Sequence, residues 1–194
     1  MNEHFFRTEI LLASKSPRRI HLLHESGFKV NTVSIDVEEN FDENLRAAEI
    51  PIYLAEKKSK AFQGQIEPQQ VLVTADTVVW IQDKVLNKPE TKKEAKEMLQ
   101  MISGNTHTVY TAVCMRNAVQ THTFSVASDV EFYPLSEKMI DFYLDKYSPM
   151  DKAGAYGIQE FIGYLGIKKI NGCYYNVMGF PVSAFVLELE NFLS

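Results

Sequence analysis

Cysteine is nearly absent from this sequence. Cys114 and Cys173 are the only two in 194 residues, too few and too far apart for a zinc site or a disulfide framework. Both are expected to be core thiols in a reducing compartment. No apolar run approaches the length of a bilayer span. The first nine residues set Glu3, Arg7 and Glu9 among apolar side chains, a pattern unlike a secretory leader. The expectation is a soluble, unexported, cytoplasmic chain with no membrane partner. Excess positive charge is missing too: 20 basic against 25 acidic residues give a net charge of -5. No broad electropositive face is then available to hold a nucleic-acid backbone, so nucleic acid is excluded as a partner and any phosphate binding must be local. Repeats, low-complexity tracts and Pro/Gly/Ser linkers are absent as well. With 45% apolar residues, the chain reads as one domain over residues 1–194, divided into two lobes at most.

What is present alternates strands with helices. Ile10 to Ala13 is a short apolar run that hands over to Ser16-Pro17, an N-cap followed by proline at the first helical position. Gly27 closes that helix. A second helix is expected over Ile52 to Phe62, whose lysines 57, 58 and 60 cannot all share one face. Val71 to Ala75 reads as a strand ending at Asp76. Val78 to Ile81 and Lys84 to Leu86 read as a hairpin turning at Gln82-Asp83. Thr91 and Glu94 form a capping box for a helix that stops at Gly104, and Ser136 caps another to about Lys146. Thr106 to Met115 and Thr121 to Phe132 look like paired strands. Asn171-Gly172, between Leu165 to Ile170 and Cys173 to Val177, predicts a second hairpin. Pro181 opens a last helix with Phe185, Leu189, Phe192 and Leu193 at helical spacing. The fold class is therefore α/β, a mixed sheet flanked by helices.

Five places have the residue types for chemistry. Ser14-Lys15-Ser16-Pro17-Arg18-Arg19 lies where a strand meets a helix start, and unpaired N–H groups and the helix dipole attract an anion there. Two arginines in a first turn call for something negative opposite. A phosphate chain would supply it, and a merely capped helix with solvated arginines is the alternative. Asp76 follows an apolar strand, where open sheets place ligands. Ionised, it can coordinate Mg²⁺ or take a proton from water, or else bond its own backbone as turn aspartates do. Glu38 and Glu39 offer hard oxygen ligands within an acidic loop, and Lys88 offers a point charge suited to phosphate. Asp151 to Gln159 sets small residues among polar ones, letting backbone approach a ligand while Gln159 presents donors and an acceptor to a base edge. His107, inside a Thr-rich strand, reads as structural. No nucleophile–base–orienter triad assembles, which favours metal-assisted attack by water.

These segments occur together as LLASKSPRR from Leu11, ADTVV from Ala75, NKP from Asn87, SGNTHTVYTAV from Ser103, DKAGAYGIQ from Asp151 and GCYYNVMGFP from Gly172. In that order they resemble the Maf family of nucleotide pyrophosphatases across residues 10 to 181. The resemblance implies a Maf or inosine-triphosphatase-like fold, with two lobes around a nucleotide cleft. It also implies hydrolysis of a nucleoside triphosphate to the monophosphate and pyrophosphate with a divalent cation, Mg²⁺ or Mn²⁺. It makes Asp76 the catalytic proton acceptor and gives the triphosphate to Ser14, Arg18 and Arg19, with Lys58 and Lys88 adding charge. Glu39 joins Asp76 near the metal. Arg18, Thr77 and Gln159 form a set similar to the subgroup acting on dTTP and UTP, and a homodimer is implied. Ser59, Asn87 and Ala112 depart from the family's usual residues without removing a group of proposed chemical role. The aspartate–glutamate pair usual in the family stands here as Glu38-Glu39, which leaves the metal ligand less firmly placed than Asp76. The rival from another class is a nucleotide-binding regulator of cell division or septum formation that does not hydrolyse its ligand.

Overall fold

The computed structural model describes residues 8–194; of the N-terminal reading, Glu3 and Arg7 lie outside the described residues. Among the described residues, seven strands form one mixed sheet: β1 Glu9–Leu12, β2 Lys29–Thr32, β3 Gln70–Ile81, β4 Lys84–Leu86, β5 Thr106–Arg116, β6 Thr121–Phe132 and β7 Ile167–Asn171. Their order is β2-β1-β3-β5-β6-β7, and β4 pairs with β3. The helices among the described residues are α1 Pro17–Glu25, α2 Glu49–Ala61, α3 Lys92–Ile102, α4 Glu137–Tyr147, α5 Phe161–Gly166, α6 Tyr174–Met178 and α7 Val182–Leu193, with a 3-10 turn at Ala153–Ala155. No described helix is long and apolar enough to cross a membrane.

The chain divides into two compact units. Among the described residues, the first holds 8–76, 111–126 and 179–194; the second holds 77–110 and 127–178. In the first unit β1 runs parallel to both β2 and β3, with Leu12 opposite Thr32 and Val73. Parallel strands buried on both faces need continuous apolar runs, and Ile10, Leu11 and Leu12 of β1 with Val71, Leu72 and Val73 of β3 are all buried. Phe185 of α7 closes this core, with its ring centroid 5.4 Å from that of Phe28 and 5.1 Å from that of Phe180. Cys114 is buried and Cys173 partly so, and both are free thiols.

In the second unit α3 buries Ala95, Met98, Leu99 and Ile102, the three- and four-residue spacing of one helical face. Each large apolar side chain so buried contributes roughly 1.5–3 kcal/mol before ordering costs. Thr91 caps α3 by accepting from the Glu94 amide at 3.1 Å, but the Glu94 carboxylate reaches back to the amide of Glu90 rather than that of Thr91. The capping box is thus displaced by one residue at its acidic end. Gln82 and Asp83 both adopt positive φ, the conformation of a tight two-residue hairpin turn.

Three local expectations change. The strand expected to end at Asp76 continues to Ile81: β3 pairs with β1 over residues 70–73 and with β4 over 79–81, and it also neighbours β5 in the sheet, so Asp76 lies within a continuous strand, between the β1 and β4 pairings. The hairpin expected at Asn171-Gly172 does not form. β7 pairs antiparallel with β6, and Gly172 instead turns the chain into α6 at φ +131, where an added Cβ would lie 2.6 Å from Ser128 Oγ. That hydroxyl takes the Cys173 amide at 3.0 Å, and Asn176 donates to it and to the Val109 carbonyl, also at 3.0 Å. Ser16 caps α1 by position alone, its side chain making no cap bond.

His107 is a core group, as expected. It is 1% exposed and bonds the Tyr156 hydroxyl at 2.8 Å. Burial pushes its pKa down to about 4, against a smaller upward pull from Asp129. The unfolded chain, with an ordinary histidine near 6.5, then binds more protons than the folded one between those values. Stability is full above about pH 6.5 and falls as pH drops toward 4, by about 3 kcal/mol. Urea unfolding at pH 7 and pH 4.5 is expected to show this loss, and His107→Phe to remove most of it.

Candidate active site

Asp76 is a charged side chain set in an otherwise apolar stretch of β3, and it is only 7% exposed. A carboxylate so placed requires a partner, and Lys58, in the last turn of α2, supplies one. Its Nζ lies 2.6 Å from Asp76 Oδ1 and 2.7 Å from Glu39 Oε1. The ammonium therefore bridges two carboxylates, one buried and one half-exposed. Neighbouring Lys57 turns away and bonds Asn40, while Lys60 is exposed, so the three lysines of α2 diverge as helical spacing demands. Thr74, two residues before Asp76, donates to the Ala55 carbonyl at 2.6 Å and so fixes α2 against β3.

A second cation acting on Asp76 is Arg19, in the first turn of α1. Its Nη1 donates to the Ala75 carbonyl at 2.8 Å and to Ser14 Oγ at 3.4 Å, and its Nε to the Gly179 carbonyl at 2.9 Å. One guanidinium thus joins the β1–α1 turn, the residue before Asp76 and the turn before α7. Ser14 Oγ also accepts the Ser16 amide at 3.2 Å. Side chain and backbone of this turn are ordered around the Ser14 hydroxyl, in place of a Ser16 cap. Arg18 is partly exposed beside Arg19.

The electrostatics follow from burial. Burial raises the Asp76 carboxyl above its ordinary value, Lys58 and Arg19 pull it back, and Glu39 adds a further upward push. Burial likewise lowers Arg19, against Asp76 and Glu39, while Arg18 lowers it further. A carboxylate whose proton affinity is raised is a better base than one in water. Lys58 and Arg19 beside Asp76, with Arg18 next to Arg19, make this an anion-attracting corner at a helix N-terminus.

Of the residues expected from sequence, Ser14, Arg18, Arg19, Glu39, Lys58 and Asp76 gather in the first unit. Thr77, Lys88 and Gln159 belong to the second. There Gln159 is exposed, and the loop that carries it is held to the segment before Lys88 by the Gly154 amide, which donates to the Asn87 carbonyl at 3.2 Å. Two features escape sequence reading: the use of Arg19 as a clamp on backbone carbonyls, and the anchoring of the Gln159 loop by Tyr143, Lys152 and Glu160. The second left only a faint signal, a lysine and a glutamate flanking a run of small residues.

A mixed sheet with a charged cluster just beyond the carboxyl end of β1 and at the mouth of α1 defines an α/β protein with charged groups where open sheets commonly place ligands. A family model described as Maf-like protein matches residues 9–192, and the chain belongs to that family. It is 48% identical to a dTTP/UTP pyrophosphatase of Bacteroides thetaiotaomicron, over 94% of this chain and 95% of that one. A dTTP/UTP pyrophosphatase of Parabacteroides distasonis is 44% identical over 99% of this chain and all (100%) of its own. One from Phocaeicola vulgatus is 42% identical over 98% and 99%. Among solved structures, the Staphylococcus aureus Ham1 protein shares the fold, with TM-score 0.52 and 15% identity over 95% of this chain and 99% of that one.

Proposed function

We propose that the protein is a nucleoside triphosphate pyrophosphatase that hydrolyses dTTP and UTP to the monophosphate and pyrophosphate. The observation that carries this reading is the buried Asp76 carboxylate, bridged through Lys58 to Glu39 and facing Arg19 across the start of α1. The names of the relatives support the reaction and the pyrimidine preference. In this reading Asp76 takes the proton of the water that attacks the α-phosphorus. Ser14, Arg18 and Arg19 hold the triphosphate, and Lys88 adds charge where pyrophosphate departs. Lys58 orients Asp76 and offsets the repulsion between the carboxylates. Thr77 and Gln159 read the base edge, since a site built to hydrogen-bond polar groups rejects analogues lacking them.

The donor set also fits a divalent cation. Two carboxylate oxygens already converge on one positive centre, the Lys58 ammonium, and Mg²⁺ or Mn²⁺ is ordinarily held by one or two carboxylates together with substrate phosphates. Asp76 and Glu39 would hold it. When bound, the ion supplies Lewis-acid neutralisation of the triphosphate. A cytoplasmic location, a homodimer and a single domain of two units belong to the same reading.

A panel of the common triphosphates with Mg²⁺ and with Mn²⁺, scored for pyrophosphate, tests it. Release is expected to be fastest from dTTP and UTP, at least tenfold above the purine nucleotides, and to stop with chelator. Nucleotide binding without pyrophosphate release would instead establish the non-hydrolytic regulator.

A further inference from the structure

The residues between Asp151 and Glu160 form a loop with little regular structure, yet its tip is tied on both sides to one side chain. The Glu160 amide donates to the Gly157 carbonyl at 3.1 Å, which closes a four-residue turn with Ile158 and Gln159 as its central pair. Ile158 is buried and Gln159 is exposed. Tyr143, on α4 and fully buried, meets both ends of that turn. Its hydroxyl accepts the Gly157 amide at 3.0 Å and donates to the Glu160 carboxylate. Burial and the Glu160 carboxylate raise its pKa, so the phenol keeps the proton it donates.

Glu160 is pinned a second time by Lys152, whose Nζ lies 2.9 Å from Glu160 Oε1 and 2.7 Å from Asp151 Oδ1. Lys152 is 8% exposed, an ammonium buried at the base of the same loop. The packing leaves little slack. A Cβ added at Gly157 would stand 2.7 Å from Glu160 Cδ, and one at Gly154 only 3.1 Å from Val79. Gly154 also needs φ +69, a left-handed conformation that glycine adopts without strain.

We propose that Tyr143 is a positioning residue for base selection: through Gly157 and Glu160 it fixes the turn that presents Gln159, with Lys152 as the second support. This rests on the reading of Gln159 as a base-contacting residue. Tyr143 touches no reacting atom in this account, so its loss acts on how well the nucleotide is bound and discriminated, and not on the chemical step.

The test compares kcat and KM for UTP and CTP in wild type, Tyr143→Phe, Gln159→Ala and the double variant. Loss of the hydroxyl frees two hydrogen bonds, and a single net bond corresponds to about a fivefold change in binding. Tyr143→Phe is expected to raise KM for UTP by about fivefold or more with kcat within about twofold. The UTP/CTP ratio of kcat/KM should fall toward that of Gln159→Ala, and the double variant should fall no further. Glu160→Ala, at a partly exposed side chain, should give the same split and stands in if Tyr143→Phe does not fold. A lowered melting temperature with KM and discrimination unchanged would overturn the proposal, as would a full second loss in the double variant. If Gln159→Ala leaves the UTP/CTP ratio unchanged, the base-reading assignment itself fails. If Gln159→Ala lowers it and Tyr143→Phe does not, only the positioning role fails.

Discussion

Asp76→Asn is expected to lower kcat for UTP by about 10³-fold while the protein stays folded. General-base catalysis is typically worth 10²–10⁴ in rate, and an amide oxygen is a very weak base. Asparagine is nearly isosteric and keeps an acceptor within reach of Lys58 Nζ, now 2.6 Å from the carboxylate. The loss should therefore fall on turnover rather than on folding. Burial disfavours the charge that the substitution removes, so the change in melting temperature is expected to be small. Steady-state pyrophosphate release and a thermal melt measure the two separately. A variant with more than a tenth of wild-type kcat would remove Asp76 from the role assigned to it.

Lys58→Met is expected to damage stability and activity together. Lys58 and Asp76 are both largely buried, each side chain 10% exposed, and removing one partner of a buried ion pair typically costs about 3–5 kcal/mol because the other charge is left uncompensated. Arg19 remains as a partial counter-charge, and Glu39 is half-exposed and screened by water. The expected loss is therefore at the low end, about 3 kcal/mol in urea unfolding. Turnover should drop by about 10² as Asp76 loses its orienting bond. The double variant Lys58→Met/Asp76→Asn carries no uncompensated buried carboxylate at position 76, and should recover much of the stability without recovering activity. A single variant as stable and as active as wild type would show that the bridge is incidental.

How far the fold could be read from sequence depended on the range of the interactions involved. The β1–α1 unit was legible because its signals are local: an apolar run, a proline at the first helical position and Gly27 at positive φ. Asp76 was legible as a charge interrupting an apolar segment, but the same interruption hid the continuity of β3, which pairs with β1 before it and β4 after it and also neighbours β5. Asn171-Gly172 carries the local chemistry of a hairpin, and tertiary pairing of β7 with β6 overrode it. The Ser14 hydroxyl displaced Ser16 as the organiser of the α1 start for a similar reason, since Arg19 and the Ser16 amide both reach it.

The candidate site divides along the same line. Composition and position pointed to Ser14, Arg18, Arg19 and Asp76 one at a time. That Lys58 joins Asp76 to Glu39, 18 and 19 residues away in sequence, follows only from α2 packing on β3. No periodicity in the sequence encodes that distance. The Tyr143–Glu160–Lys152 support is hidden in the same way, because a buried tyrosine on an amphipathic helix reads as core until its hydroxyl is seen to be spent on a loop.

Delivery of water by Asp76 to the α-phosphorus is tested most directly by the fate of solvent oxygen. UTP hydrolysed in ¹⁸O-labelled water, with products resolved by mass spectrometry, is expected to place the label in UMP and leave pyrophosphate unlabelled. Label appearing in pyrophosphate, or release of orthophosphate with UDP, would contradict it.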